Sequence, residues 1–472
     1  MNCIFVCVFN QKQYVDMFYL LLESIFIYGN LDDNTVILVY TNTLFMNVIK
    51  QSHLYCDKIR FEINDTYDST DKACKSKLDL FDFNISDYNK ILYLDIDILI
   101  KDDINKIFNL CKEDILYVLE EGNLLNEIGH NNDYWGKSLF GSELNNYEDT
   151  SAFTSGVLLF NNCEKIKDLF NKIKEDMQTR SHYFHDQPFI VYNAFKYKLY
   201  NNKVLKLFVV NNNMDIYSDK VIHHFPGSPD VYQHKIDAMN MFLNNIKDNT
   251  IINNINITKQ YINENLMPII KKMGELLEGN IFMFHHTNTY TDEFLNKTKN
   301  ICSLLLNKNI KSVMEIGFNS GFSALLMLIT NPNIYLTCFD LGEHKYTMPC
   351  YNKLKETFGD RLNIIIGDSM KTVQTINNKF DLIHIDGGHS TDVANSDIVN
   401  SYKLSKQRTI LIMDDYDFYN LRRLWDIYIN KYNLKALQIN LYNSPHHDIK
   451  YIDDYLENKS GIVGNFVYKI HI

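Results

Sequence analysis

With 472 residues, 46% of them hydrophobic and 22% charged, the chain can form roughly two to four domains, each with its own core. That composition excludes a disordered tract or a continuous coiled coil. A formal net charge of -11 removes the broad basic surface that non-specific nucleic-acid or anionic-membrane binding needs, so any anionic ligand must be held locally, by a divalent cation or by backbone N–H groups.

The opening run, MNCIFVCVFNQKQY, has an apolar stretch too short for a signal-peptide core, and no run of about 18 apolar residues follows anywhere. The nine cysteines are odd in number, scattered and without a C-x-x-C pair, and read as reduced, mostly buried thiols. The expectation is an intracellular, cytoplasmic protein with no membrane span and no nucleic-acid partner. A homo-oligomer is compatible with the sequence.

Strand-like runs at Ile4 to Phe9, Thr35 to Tyr40 and Ile91 to Asp95 alternate with helical stretches such as Tyr14 to Ile27, which predicts a parallel sheet. At Ile246 the character shifts to an Asn-rich polar segment, KDNTIINNINITKQYINEN, followed by a helix predicted over Asn265 to Glu278. The domains are accordingly read as 1–245 and 280–472, joined by a linker and cap helix at 246–279. In the second domain, strands at Ser312 to Ile316, Tyr335 to Phe339, Asn363 to Ile366, Leu382 to Ile385 and Thr409 to Met413 predict a doubly wound α/β sheet. The run Gly461 to Ile472 is β-rich and is expected to add an antiparallel edge strand.

In NKILYLDIDILIKDD, an apolar strand runs into Asp95-Ile96-Asp97, and the period of two puts both carboxylates on one side. Carboxylates crowded at the end of a buried strand repel one another, and a hard divalent cation is their natural partner. D-x-D also arises by chance in acidic loops. Here it is followed in order by FTSGVLLFNN, HDQPF and HHFPG and preceded by VFNQKQYVDMFYLLLESI and Lys77. Over roughly residues 1 to 243 this series resembles glycosyltransferase family eight, the glycogenin-like and galactosyltransferase-like retaining enzymes.

That resemblance implies a GT-A-type nucleotide-sugar-binding α/β domain in which Asp95, Asp97 and His224 ligate Mn²⁺ beside the diphosphate of a UDP-sugar donor. It places Tyr14 near the uracil, Lys77 near the donor sugar and phosphate, Ser155 and Gly156 along the sugar pocket, and Asp186 and Gln187 beside the donor sugar. Gly227 belongs to the H-x-x-G turn. The family's diphosphate-binding lysine three residues after that glycine is replaced by Asp230, and Lys235 further on is the candidate substitute. Retention of configuration is implied, and a double displacement through Asp186 or Gln187 and a front-face route both stay open. For Asp186 the plainer reading is a helix N-cap, and for His223 and His224 a surface loop pair.

In the second half, SVMEIGFNSGFSALLML reads as strand, glycine turn and helix, with Glu315, Gly317 and Gly321 at E-x-G-x-x-x-G spacing. Asp340 ends the next strand, where a carboxylate can accept hydrogen bonds from ribose hydroxyls, and IIIGDSM places Asp368 and Ser369 to meet adenine. Over about residues 280 to 472 the series resembles class I S-adenosylmethionine-dependent methyltransferases, which have a Rossmann-like fold. FDLIHIDGGHS and ILIMDDY bring Asp386, Asp414 and Asp415 to the same sheet edge, where three carboxylates suggest a second cation. These motifs look like the sugar O-methyltransferases of the macrocin type, which implies that the three aspartates hold Mg²⁺ and His389 is the base. The plainer reading makes the aspartates caps of a turn and a helix. The pairs His285/His286 and His446/His447 read as loop residues.

Together these features predict a bifunctional enzyme that transfers a hexose to a glycan or glycoconjugate acceptor and methylates a sugar hydroxyl. Two alternatives stand beside it: a methyltransferase with a phenolic acceptor, and one domain decayed to a non-catalytic glycan-binding module.

Overall fold

The computed structural model describes residues 1–125, 133–147, 149–211, 214–227 and 232–453. The chain divides into two compact units, Met1–Thr250 with Leu306–Asn309, and Ile251–Leu305 with Ile310–Ile472. Asp230 and the run Gly461 to Ile472 lie outside the described residues. Among the described residues no helix is long and apolar enough to cross a membrane, and all nine cysteines are free.

In the first unit the strands are β1 (Asn2–Val8), β2 (Thr35–Thr41), β3 (Ile59–Ile63), β4 (Lys90–Leu94), β5 (Ile98–Ile100), β6 (Leu116–Asn123), β7 (Ser151–Asn161), β8 (Tyr200–Asn201), β9 (Val209–Asn211) and β10 (Ile222–His224). Seven form one sheet in the order β3-β2-β1-β4-β7-β6-β8, and β5, β10 and β9 form a second. Strand β2, TVILVYT, is buried along its whole length, the mark of a parallel strand covered on both faces. The helix Lys12–Tyr28 packs against β5 and β1 and buries Phe18, Leu21, Leu22 and Ile25. It also carries Glu23 into the interior, where Lys247 Nζ meets it at 2.6 Å. Strand order reverses between β1 and β4, the point at which an open α/β sheet leaves a crevice at its carboxyl ends.

The Asn-rich segment beginning at Ile246 is helical despite its weak periodicity. It lies within a helix spanning Tyr232–Tyr261, followed by a π turn at Ile262–Leu266 and a helix at Met267–Met273. Asparagine is a poor helix former. Here Ile251, Ile255 and Ile262 are all buried, so burial of those apolar positions overrides local propensity.

The second unit is built on β11 (Ser312–Ile316), β12 (Tyr335–Asp340), β13 (Leu362–Ile366), β14 (Phe380–Ile385), β15 (Ser405–Asp414), β16 (Leu434–Lys435) and β17 (His447–Ile452). Their order is β13-β12-β11-β14-β15-β17-β16, with the first five parallel and β17 antiparallel to β15. This is the doubly wound Rossmann-like sheet expected, and its order reverses between β11 and β14. The antiparallel neighbour of β15 is β17, so His447, expected in a loop, begins a strand.

Candidate active sites

At the C-terminal end of β4 the chain turns through Asp95, Ile96 and Asp97 into β5. The Asp95 N–H donates to Gly156 O on β7 at 2.9 Å. Strand β5 pairs with β10 so that Ile98 faces His224, and the Phe225 N–H donates to Asp97 O at 2.8 Å. That register brings His224 Nε2 to 3.3 Å from Asp97 Oδ1, while Nδ1 is fixed by Asn211 Oδ1 at 2.9 Å. One atom each from Asp95, Asp97 and His224 lies within 4.8 Å of the others, a cluster that can hold a metal ion. Gly156 keeps the space open, since a Cβ there would stand 2.6 Å from His224 Cε1 and 3.0 Å from Asp95 Oδ2. Asp97 Oδ1 is buried without a hydrogen bond. Two carboxylates, an imidazole and an orphaned buried oxygen around a glycine gap fit a divalent cation.

Around this cluster lies a cavity of about 1000 Å³ whose lining includes Tyr14, Lys77, Asp186, Gln187, Gly227 and Lys235. Lys77 is buried, with Nζ 3.1 Å from Asp186 Oδ2, 3.5 Å from Asp95 Oδ1 and 3.3 Å from Ser155 O. Burial works against its charge, but Asp186 and Asp95 prevail and hold its pKa above the ordinary value. Burial likewise pushes the Asp186 carboxyl up, and Lys77 only partly opposes it. Asp97 goes the other way, because His224 and Lys235 outweigh burial and hold it well below the usual carboxylate range.

In the second unit the turn after β11 is shaped by two left-handed glycines. Gly317 has φ +98°, and a Cβ there would stand 1.9 Å from Asp386 O, so only glycine fits. Gly321 has φ +77° and starts the helix Phe322–Thr330. Asp340, ending β12, draws this turn together: its Oδ2 accepts from the N–H groups of Phe318 and Asn319 at 3.0 and 2.7 Å, and its Oδ1 from Gly342 at 2.7 Å.

At the ends of β14 and β15, one atom each from His384, Asp386 and Asp414 lies within 4.8 Å of the others. His384 is fully buried, with Nδ1 3.1 Å from Glu315 Oε1 and Nε2 3.1 Å from Asp414 Oδ2. Burial opposes its charge, yet those two carboxylates raise its pKa to about 10. Lys297 Nζ is 2.6 Å from Asp414 Oδ2. Among the described residues no such cation stands at contact distance from Asp386: burial, reinforced by Asp414, pushes its carboxyl well above the usual range. An under-compensated carboxylate beside that of Asp414 is a donor pair that fits a divalent cation. Asp415, in left-handed backbone at φ +51°, turns its carboxylate to His389 Nε2 at 2.6 Å.

Residues 36–206 match the model of glycosyl transferase family 8, and residues 314–416 match that of a methyltransferase domain. The chain joins a family 8 glycosyl transferase domain to a methyltransferase domain. Solved structures similar to it include mouse xyloside xylosyltransferase 1, at 13% identity over 48% of this chain and 98% of that one with a TM-score of 0.35. Others are the Streptococcus pneumoniae glycosyltransferase GlyE (11%, 85% and 90%, 0.33) and a Staphylococcus aureus protein proposed as a caffeoyl-CoA O-methyltransferase (15%, 43% and 99%, 0.31). A search of curated proteins finds no match to the chain.

In the glycosyltransferase domain, Tyr14, Lys77, Asp95, Asp97, Ser155, Asp186, Gln187, Gly227 and Lys235 line one cavity, and Gly156 lies against His224 and Asp95 beside it. Asp186 occupies the N-cap position of the helix Gln187–Lys196 but makes no capping hydrogen bond, its carboxylate being turned to Lys77. Gln187 accepts from the Ser155 N–H at 3.2 Å. Tyr14 is edge-on to Tyr232, with their hydroxyls 2.8 Å apart. Lys235 reaches the acidic cluster, with Nζ 2.6 Å from Asp97 Oδ2. His223, by contrast, is buried against Phe242 rather than exposed in a loop.

The methyltransferase domain departs more from the sequence reading. Glu315, expected at the cofactor, is fully buried between strands and engaged by His384 and the Cys338 thiol. Asp368 caps the short helix Ser369–Thr372 by accepting from the Met370 N–H at 3.0 Å. Asp415 pairs with His389 rather than joining the cluster of Asp386 and Asp414. Two members were missed. His384, near the end of β14, lies two residues before Asp386, a period-two signal that was legible. Lys297 lies among the buried residues of the helix Leu295–Leu305, where Ile301, Leu304 and Leu305 continue its stripe. A lone lysine on a helix ordinarily reads as solvated.

Proposed function

We propose that the glycosyltransferase domain transfers a hexose from a UDP-sugar to a glycan or glycoconjugate acceptor with the help of Mn²⁺, and that the methyltransferase domain uses S-adenosylmethionine to O-methylate a sugar hydroxyl. The observation that carries the first reading is the convergence of Asp95, Asp97 and His224 around the space that Gly156 leaves open. A divalent ion bound by those three residues supplies positive charge to the leaving diphosphate. Lys235, 2.6 Å from Asp97, adds a cation beside the cluster and is the candidate substitute for the family's lysine, whose motif position here is Asp230. Lys77 holds Asp186 and Asp95 in place, and Gln187, fixed by Ser155, presents its side chain to the cavity that would enclose the sugar.

In the methyltransferase domain the glycine turn of Gly317 and Gly321, gathered by Asp340, is the candidate seat of the cofactor, with Asp368 and Ser369 at the adenine side. Asp386 and Asp414 would hold Mg²⁺, which would supply charge that lowers the pKa of a bound hydroxyl. His389 takes the acceptor proton, its imidazole oriented by Asp415, whose hydrogen bond is the main cause of its raised pKa. Unpaired, scattered thiols support an intracellular setting.

One experiment tests both halves. The chain is incubated with a panel of UDP-sugars with and without Mn²⁺, and with S-adenosylmethionine and a panel of glycosides and catechols. Nucleotide release that needs Mn²⁺ and S-adenosylhomocysteine formation with glycosides are expected. A flat response to every donor removes the first reading, and methylation of catechols alone removes the sugar acceptor.

A further inference from the structure

The buried end of the methyltransferase site already contains a positive charge. Lys297 stands near the start of the helix Leu295–Leu305, on a stripe shared with Ile301, Leu304 and Leu305, and its side chain is 7% exposed. A lysine buried to that degree persists only where an anion meets it. Its Nζ lies 2.6 Å from Asp414 Oδ2, and the same oxygen is 3.1 Å from His384 Nε2. Asp414 Oδ1 accepts the Asp415 N–H at 2.8 Å. Both oxygens of the carboxylate are thus engaged.

Of these partners only one can leave. His384 is pinned on its other nitrogen by Glu315 and is fully enclosed. The Asp415 N–H is backbone. Lysine carries its charge on a flexible four-carbon stem and can swing away. We propose that Lys297 is the resident counter-cation of the methyltransferase site, bound to Asp414 until a divalent ion displaces it. This rests on the reading that Asp386 and Asp414 take a divalent ion. Lys297 is a positioning residue: it keeps Asp414 ionised and aimed at the site while the ion is away, and it sets how tightly the ion is held.

Mn²⁺ binding by electron paramagnetic resonance tests the idea in the full chain, with the glycosyltransferase cluster silenced by Asp95→Asn and Asp97→Asn. Removing a competing buried charge in Lys297→Met should tighten Mn²⁺ binding by roughly tenfold or more. Lys297→Arg, which keeps the charge, should bind no more tightly than its parent. A purely structural lysine predicts the opposite sign, since losing it would loosen the site. Lys297→Gln serves as a second uncharged variant. The unsubstituted chain gives an independent readout by reductive methylation and mass spectrometry, in which Lys297 should be protected without Mn²⁺ and modified with it. A folded uncharged variant that binds Mn²⁺ no better than its parent, or a Lys297 equally protected in both states, overturns the proposal while leaving the metal reading intact. Absence of Mn²⁺ from the parent and every variant removes the metal reading, and the proposal with it.

Discussion

Replacing Gly156 with alanine adds one methyl group where the structure leaves a gap. The new Cβ would stand 2.6 Å from His224 Cε1 and 3.0 Å from both Asp95 Oδ2 and His224 Nε2. Carbon atoms rest at about 3.5–4.0 Å, so the imidazole must withdraw by roughly 1 Å. His224 has little freedom to do so, being held by Asn211 through Nδ1 and by β10 through its backbone. Ligand distances in a metal site tolerate deviations of only about 0.2 Å. A shift of that size therefore removes the histidine as a ligand or closes the gap, and Mn²⁺ affinity should fall by roughly 10–100-fold or more. Overpacking should cost only about 1–3 kcal/mol, so the chain remains folded. Isothermal titration with Mn²⁺, with the methyltransferase cluster silenced by Asp386→Asn, measures the affinity, and thermal unfolding controls for stability. A folded Gly156→Ala chain with the parent's Mn²⁺ affinity would refute the placement of the ion between Asp95, Asp97 and His224.

Three further outcomes are expected. Lys77→Met leaves Asp95 and Asp186 without their shared buried cation and should destabilise the chain by about 3–5 kcal/mol, read from the denaturant midpoint. His224 has a raised pKa, because Asp97 outweighs its burial, and a metal ligand must be neutral. Mn²⁺ binding in the first unit should therefore weaken as pH falls through that raised value, at a higher pH than an ordinary histidine would set. In a His224→Asn chain this component of the titration should vanish. His384 is raised to about 10 in the folded chain, so the stability it contributes is fully present below its unfolded value of about 6.5 and is lost as pH rises through about 10. Urea midpoints of His384→Asn should thus fall furthest below the parent's near pH 6 and converge with it above pH 10; a constant gap would contradict the ion bridge to Glu315 and Asp414.

Much of the fold was legible because the parallel strands are continuous apolar runs and the turns between them carry glycines and carboxylates. Strand β11 runs over Ser312–Ile316, as its sequence indicates, and β2 extends the expected run by a single residue. The linker helix was less legible, because its asparagines mask a stripe of isoleucines whose burial only tertiary contacts supply. At the sites, Asp95, Asp97, Asp386 and Asp414 stood out because acidic side chains at the ends of buried strands are rare enough to be noticed, and His224 through the HHFPG motif. Glu315 was misplaced for a related reason: a carboxylate beside a glycine turn suggests a ligand, but strand alternation turned this one toward His384.

The amino-acid order alone determined the two families, the alternation of strands and helices that builds parallel sheets and the identity of most acidic groups, since these depend on local patterns of polarity and spacing. Tertiary structure alone decided which charges neutralise one another. Lys77 meets Asp186, Lys235 meets Asp97 and Lys297 meets Asp414 across 109, 138 and 117 residues of chain, the differences 186 − 77, 235 − 97 and 414 − 297. Electrostatic energy depends on distance through space in a low-dielectric interior, and spacing along the chain does not encode it.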